Sequence, residues 1–204
     1  MLAKNLKQAL ENPTVVTGLI LKLGGAKEIP WEVFTLPNLA QLEIFGEKIK
    51  EIPAGFGNLS RLHTFFMTSP ALERIAPELF ALPFLETLKI KHGNLGTLPE
   101  VHPRCLNLKI LHFSHTHLEM APEWLSLFHR LEVLNLSNNR LKTLPDSYRN
   151  LKTLKWVDLD GNLMERLPDC LFSLPKVHHL SIDQNPFPPE EKLRISQLFS
   201  IWFS

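Results

Sequence analysis

The chain is poor in cysteine: Cys105 and Cys170 are the only two in 204 residues. Two thiols cannot form the disulfide framework that staples small secreted domains. Net charge is also missing. Twenty-two Lys and Arg face 21 Asp and Glu, leaving a formal +1, so nothing draws the whole molecule to nucleic acid, to a membrane surface or to acidic substrates. No apolar run approaches the roughly eighteen residues needed to cross a bilayer. The opening stretch MLAKNLKQALENP has no uninterrupted apolar core of the kind a secretory signal carries. These absences lead us to expect a soluble protein of the cytoplasm. What remains, 44% hydrophobic and 21% charged residues, suits a folded chain with a continuous core.

The core is written as a repeat. The segment from Leu131, LEVLNLSNNRLKTLP, fits L-x-x-L-x-L-x-x-N-x-L-x-x-L-P at every fixed place. Its successor from Leu154, LKWVDLDGNLMERLP, fits with Val157 and Met164 in leucine places. Stepping by 23 residues gives eight starts without an insertion: Val16, Leu39, Leu62, Leu85, Leu108, Leu131, Leu154 and Val177. A proline closes the pattern at Pro30, Pro53, Pro99, Pro122, Pro145 and Pro168, slipping to Pro77 in the third unit. An apolar column follows at Leu36, Leu59, Leu82, Cys105, Phe128, Leu151 and Leu174.

Each feature has a physical reading. The alternation in L-x-x-L-x-L fits a short strand with one buried face. The Asn place ends it, where a side-chain amide can satisfy backbone groups inside a turn. Apolar residues at three-residue spacing after the proline suit a short helix or 3₁₀ turns. One unit cannot bury its apolar face alone, and stacking does so, giving a parallel sheet along the inside of a curve. The Asn ladder is present at Asn139, Asn162 and Asn185, whereas earlier units carry Gly24, Glu47, Pro70, Gly93 and Thr116. Together with Ala76 and His102 at normally regular convex places, this predicts less regular turns in the N-terminal half.

The pattern resembles the 23-residue class of intracellular leucine-rich repeats, known from Ras-pathway scaffolds, plant Ras-group proteins, Roco proteins and bacterial proteins that include injected effectors. The likeness covers about residues 16–187. It implies an α/β fold, a right-handed horseshoe with a parallel sheet on the concave face and short helices or 3₁₀ turns on the convex face. It also implies a non-catalytic interaction module or adaptor. Residues 1–15 and 188–204 are expected to be helical caps. The first would use Leu2, Leu6, Ala9 and Leu10, and the second Leu193, Leu198, Ile201 and Trp202 after a helix start at Pro188-Pro189-Glu190-Glu191.

Function must then be read between the leucines. Strand side chains flanking the second and third consensus apolar residues point to the concave surface. Three zones result. Phe45 and Phe66 form an aromatic pair near the N-terminal end. Lys89, Lys91, His92, His112 and His115 make a basic and imidazole centre. Asp158, Asp160 and Asp183 form an acidic zone beside Trp156 and His179. Exposed aromatics on a stripe resemble binding anchors, and Asp160 next to Asp183 is a pairing of like charges that folding alone would not favour. The expected partner is a protein, with no nucleic acid, membrane or cofactor involved and the chain a monomer.

Two alternatives stand beside this. The chain could be a bacterial effector that occupies a host protein. In a different class, His92, His112, His115 and His117 could share a metal ion and support catalysis, although no carboxylate or thiolate accompanies them in register. Cys105 lies in the buried column and Cys170 has no activating neighbour. Gly55-Phe56-Gly57 lies on a convex segment and is no phosphate loop, and no G-x-S-x-G, Walker or H-E-x-x-H motif occurs.

Overall fold

The computed structural model describes residues 1–199. Its main sheet is parallel, with nine strands in the order β1 (Leu2–Ala3), β2 (Gly18–Gly24), β3 (Gln41–Gly46), β5 (Thr64–Thr68), β7 (Thr87–Lys91), β8 (Ile110–Ser114), β9 (Val133–Asn135), β10 (Trp156–Asp158) and β11 (His179–Ser181). A small second sheet pairs β4 (Glu51–Ile52) with β6 (Arg74–Ile75). From β2 onward the register steps by the repeat length, Gly18↔Gln41↔Thr64↔Thr87↔Ile110↔Val133↔Trp156↔His179. The sequence period is therefore the strand register, and each column of the repeat is a row across the sheet.

The alternation does the sorting. Leu42 and Ile44, Phe65 and Met67, Leu88 and Ile90, and Leu111 and Phe113 point into one continuous core at essentially zero exposure. Full burial of such side chains contributes about 1.5–3 kcal/mol each, and stacking is what completes it. The convex column from Leu36 through Cys105 to Leu174 is buried throughout.

Six 3₁₀ turns build the convex side: Trp31–Thr35, Ala54–Asn58, Pro77–Ala81, Glu123–Leu127, Asp146–Asn150 and Asp169–Ser173. Five follow directly on the repeat proline. The third unit keeps the same offset despite its slipped proline. Ala76 takes the cap place with φ −67° and ψ 139°, because Pro77 behind it disfavours the helical region for the preceding residue. The irregularity expected there is absent from the backbone. The fourth unit is irregular as expected, with no helical turn between Pro99 and Cys105. Pro103 removes a donor and disfavours the helical region for His102 before it. Trp124 of the next unit covers this stretch, its indole N–H donating to the Pro99 carbonyl at 3.0 Å and its ring 4.8 Å from Phe80.

The turns after the strands divide the molecule as the Asn ladder predicts. The Asn139 side-chain oxygen accepts from the Thr116 and Leu118 amides, both at 3.0 Å, and its NH₂ donates to the Phe113 and Leu136 carbonyls. Asn162 and Asn185 repeat this one and two units later. Where Asn is missing, the strands run on instead: β2 has seven residues and β3 six, against three in β9, β10 and β11. In the third unit Ser69, fully buried, donates to the Ile49 carbonyl.

A helix occurs within each of the two expected end segments, but the inner contacts differ from those expected. Leu2–Ala3 is an edge strand paired with β2, and the helix α1 covers only Leu6–Glu11, capped by the Asn5 side chain. Ala9 is its buried residue, while Leu2 and Leu10 are exposed. Pairing wins at Leu2 because β2 otherwise presents an open edge. The C-terminal helix α2 spans Pro189–Phe199, but Leu193 and Leu198 are 59% and 56% exposed. Its inner contacts are Ile195, fully buried, and Glu191, which accepts the Leu167 amide at 2.9 Å and Arg194 at 2.7 Å. Anchoring at Glu191 sets the helix rotation and turns Leu193 outward. Ile201 and Trp202 lie outside the described residues.

Candidate partner-binding surface

The register turns the sequence columns into rows of neighbours, spaced roughly 4.8 Å apart across the sheet. At the N-terminal end Phe45 on β3 and Phe66 on β5 form a tilted pair with centroids 5.4 Å apart. Phe45 remains 37% exposed and Phe66 is half-buried. Phe45 also borders a cleft of about 350 Å³ with Lys22, Glu47, Thr68 and Pro70. Both side chains meet solvent because they occupy outward strand places whose inward neighbours, Ile44 and Phe65, already fill the core.

Next to them Lys89 pairs in register with Phe66 on one side and His112 on the other, and Lys91 lies between Thr68 and Ser114. Burial first, and then Lys89 and Lys91, push the His112 imidazole down to about 4. His112 is thus neutral at physiological pH. The centre carries its positive charge on the two lysines. His115 is also lowered, by burial and then by His92, Lys91 and His117.

His92, His115 and His117 adopt left-handed backbone conformations, φ 57°, 56° and 57°. His92 and His115 occupy the same turn place, one repeat apart, and Asn138, Gly161 and Gln184 continue it with φ 55°, 62° and 58°. The place requires an αL residue, which His and Asn enter more readily than most. The rings of His92 and His115 come to 4.9 Å between centroids. Among the described residues no group of three or more His, Cys, Asp or Glu side chains converges as metal ligands. Burial raises the thiol of Cys105 to about 12 and that of Cys170 to about 11.

The acidic zone is narrower than the sequence implied. The Asp158 carboxylate accepts from the Asn135 amide at 2.5 Å and from the Asp160 backbone N–H at 3.2 Å. It is half-buried, and burial pushes its carboxyl above the ordinary range. Asp160 accepts the Ser181 hydroxyl and the Asp183 backbone N–H, both at 2.7 Å. The Asp160 carboxylate thus caps the backbone of the next repeat, a structural role the sequence did not suggest, while the Asp183 carboxylate takes no part in this cap. Asp183 is the exposed carboxylate of the three. Trp156 is 43% exposed and stacks on His179 with centroids 3.5 Å apart and planes 22° from parallel. Sequence reasoning passed over Ile110 and Val133, half-exposed in the same row, which extend the Trp156 surface toward the centre. Their place in the Trp156 column was the available signal.

A family model described as leucine rich repeat matches residues 107–164 and 129–187. Comparison with curated proteins finds no match. Among solved structures, a leucine-rich-repeat protein of Leptospira interrogans aligns with TM-score 0.58 and 24% identity, covering 92% of this chain and 59% of that one. The human trophoblast glycoprotein 5T4 aligns with TM-score 0.68 and 21% identity, over 89% of this chain and 74% of that one. A chain of the Drosophila Toll–Spatzle complex aligns with TM-score 0.71 and 23% identity, over 98% of this chain and 31% of that one. The present chain therefore spans less than two thirds of the Leptospira chain and about a third of the Drosophila chain. At these identities the likeness concerns the fold.

Proposed function

The chain folds as a leucine-rich-repeat solenoid, and from that premise we propose that it is a non-catalytic interaction module whose concave face binds a protein. The carrying observation is that four large apolar or aromatic surfaces, Phe45, Phe66, Trp156 and the half-exposed Ile110–Val133 stretch, lie along one face. The core needs none of them. Large side chains left on a rigid sheet lose little further freedom on binding, which suits them as anchors. Lys89, Lys91 and Asp183 flank them and would orient the partner by charge. Fold relatives include a chain solved within a Toll–Spatzle assembly, and the unbroken 23-residue register favours placing this chain with the intracellular 23-residue class.

The test is affinity for a partner purified from the source cells. Phe66→Ala and Trp156→Ala should each weaken binding about tenfold or more while far-UV circular dichroism and melting stay close to wild type. Unchanged affinity in both variants refutes the concave-face reading.

A further inference from the structure

Resting on the concave-face reading, we propose that the centre built by β7 and β8 receives an extended acidic segment of the partner, its carboxylates on Lys89 and Lys91 and an apolar side chain on the Phe45–Phe66 pair.

Four flank cations are paired between repeats at the repeat spacing: Lys50 with Glu73 at 2.8 Å, Arg74 with Glu51 at 2.8 Å, Lys109 with Glu86 at 2.9 Å and Lys155 with Glu132 at 2.7 Å. The same device is available on the concave face and is not used. Lys89 and Lys91 take part in no ion pair among the described residues, and their register neighbours are Phe66, Thr68, His112 and Ser114.

Nor can the remaining concave carboxylates serve them from a distance. Asp158 and Asp160 are occupied by backbone and side-chain donors. Glu43 lies two strands from Lys89, roughly 10 Å at sheet spacing, about a Debye length at moderate salt. Two lysines on alternate places of one strand, facing the same way, thus remain as uncompensated charge between an aromatic pair and a neutral imidazole.

That arrangement fixes the chemistry of its ligand. In an extended segment, residues two apart share a face and lie roughly 6.6 Å apart, the spacing of Lys89 and Lys91 along β7 and within side-chain reach of the shorter, roughly 4.8 Å step from Lys89 to Phe66. An apolar residue two places from an acidic one therefore reaches both. A nucleic-acid strand is a poorer fit, because a chain of phosphates crossing the face would run from the lysines onto Asp158 and Asp183.

The test uses the full chain and a twelve-residue peptide holding four glutamates and one phenylalanine. The controls are the same peptide with glutamine for glutamate and a twelve-nucleotide single-stranded DNA. Binding is read by fluorescence anisotropy and by NMR shifts. The acidic peptide should move resonances of β5, β7 and β8 and raise the His112 pKa from about 4. The glutamine peptide should bind at least tenfold more weakly, and Lys89→Glu/Lys91→Glu should lose at least tenfold for the acidic one. Lys91→Gln, a milder change with less effect on folding, should give an intermediate loss. Equal binding of the two peptides, tighter binding of the DNA, or shifts confined to other faces overturns the proposal. Those outcomes leave the broader concave-face reading standing as long as Phe66→Ala or Trp156→Ala still weakens the natural partner. If neither does, that reading falls whatever the peptides show.

Discussion

Replacing Asn139 with alanine tests the physical account of the turns at its most exposed point. The side chain is 6% exposed and serves two repeats at once. Its oxygen accepts from the Thr116 amide, the Thr116 hydroxyl and the Leu118 amide, all at 3.0 Å, and its nitrogen donates to the Phe113 and Leu136 carbonyls at 2.6 and 2.9 Å. Thr116 and Leu118 are both at zero exposure. Alanine would therefore strand two buried N–H groups and weaken two carbonyls. Each such group costs about 1–3 kcal/mol when left unsatisfied, and partial relaxation or an entering water recovers some of it. We expect a loss of about 3–5 kcal/mol out of a total stability of about 5–15 kcal/mol. For a chain of this length that lowers the melting temperature by about 10 °C. The measurement is urea and thermal unfolding followed by circular dichroism, with Lys142→Ala, an exposed neighbour, as the control expected within about 0.5 kcal/mol of wild type. If Asn139→Ala also falls within about 0.5 kcal/mol, the ladder does not carry the turns and the explanation of the shortened strands β9 to β11 fails with it.

Two further predictions follow from the titrating groups. His112 is held to about 4 against an ordinary 6.5 by burial and then by Lys89 and Lys91. Between those values the unfolded chain binds more protons, so stability falls as pH drops from about 6.5 toward 4, and His112→Gln should flatten that part of the curve; an NMR pKa near 6.5 for native His112 would contradict this. At the C-terminal end the Arg194 guanidinium, followed by the Leu167 amide, lowers the Glu191 carboxyl from 4.5. Its contribution is therefore present above 4.5 and lost as pH falls through the lower folded value. Arg194→Ala should speed hydrogen exchange at the Leu167 amide and cost about 1–2 kcal/mol; unchanged exchange there would show that the clamp does not hold α2 down.

The period, the strand register and the identity of every concave row were legible in the sequence, because one 23-residue spacing dictates all three. The apolar column including Cys105 was equally readable. What escaped depended on reach rather than pattern. Nothing in the spacing says that Asp158 and Asp160 bend back to accept the N–H groups at Asp160 and Asp183, since that requires the strand to have ended already. The third unit looked irregular at Ala76 until the effect of Pro77 on its neighbour was seen in the backbone. At the two ends an open sheet edge turned Leu2 into a strand residue, and a buried glutamate, not a leucine, set the rotation of α2. Apolar periodicity has no means of foreseeing either.

The most direct test of the central claim compares partner affinity across opposite faces of the solenoid. Phe66→Ala/Trp156→Ala removes two concave anchors, and Trp31→Ala removes a 69% exposed indole on the convex return. Isothermal titration should show a loss of about a hundredfold or more for the concave pair and no change for Trp31→Ala. Loss with Trp31→Ala while the concave pair binds normally would place the interface on the other side of the molecule and contradict the account.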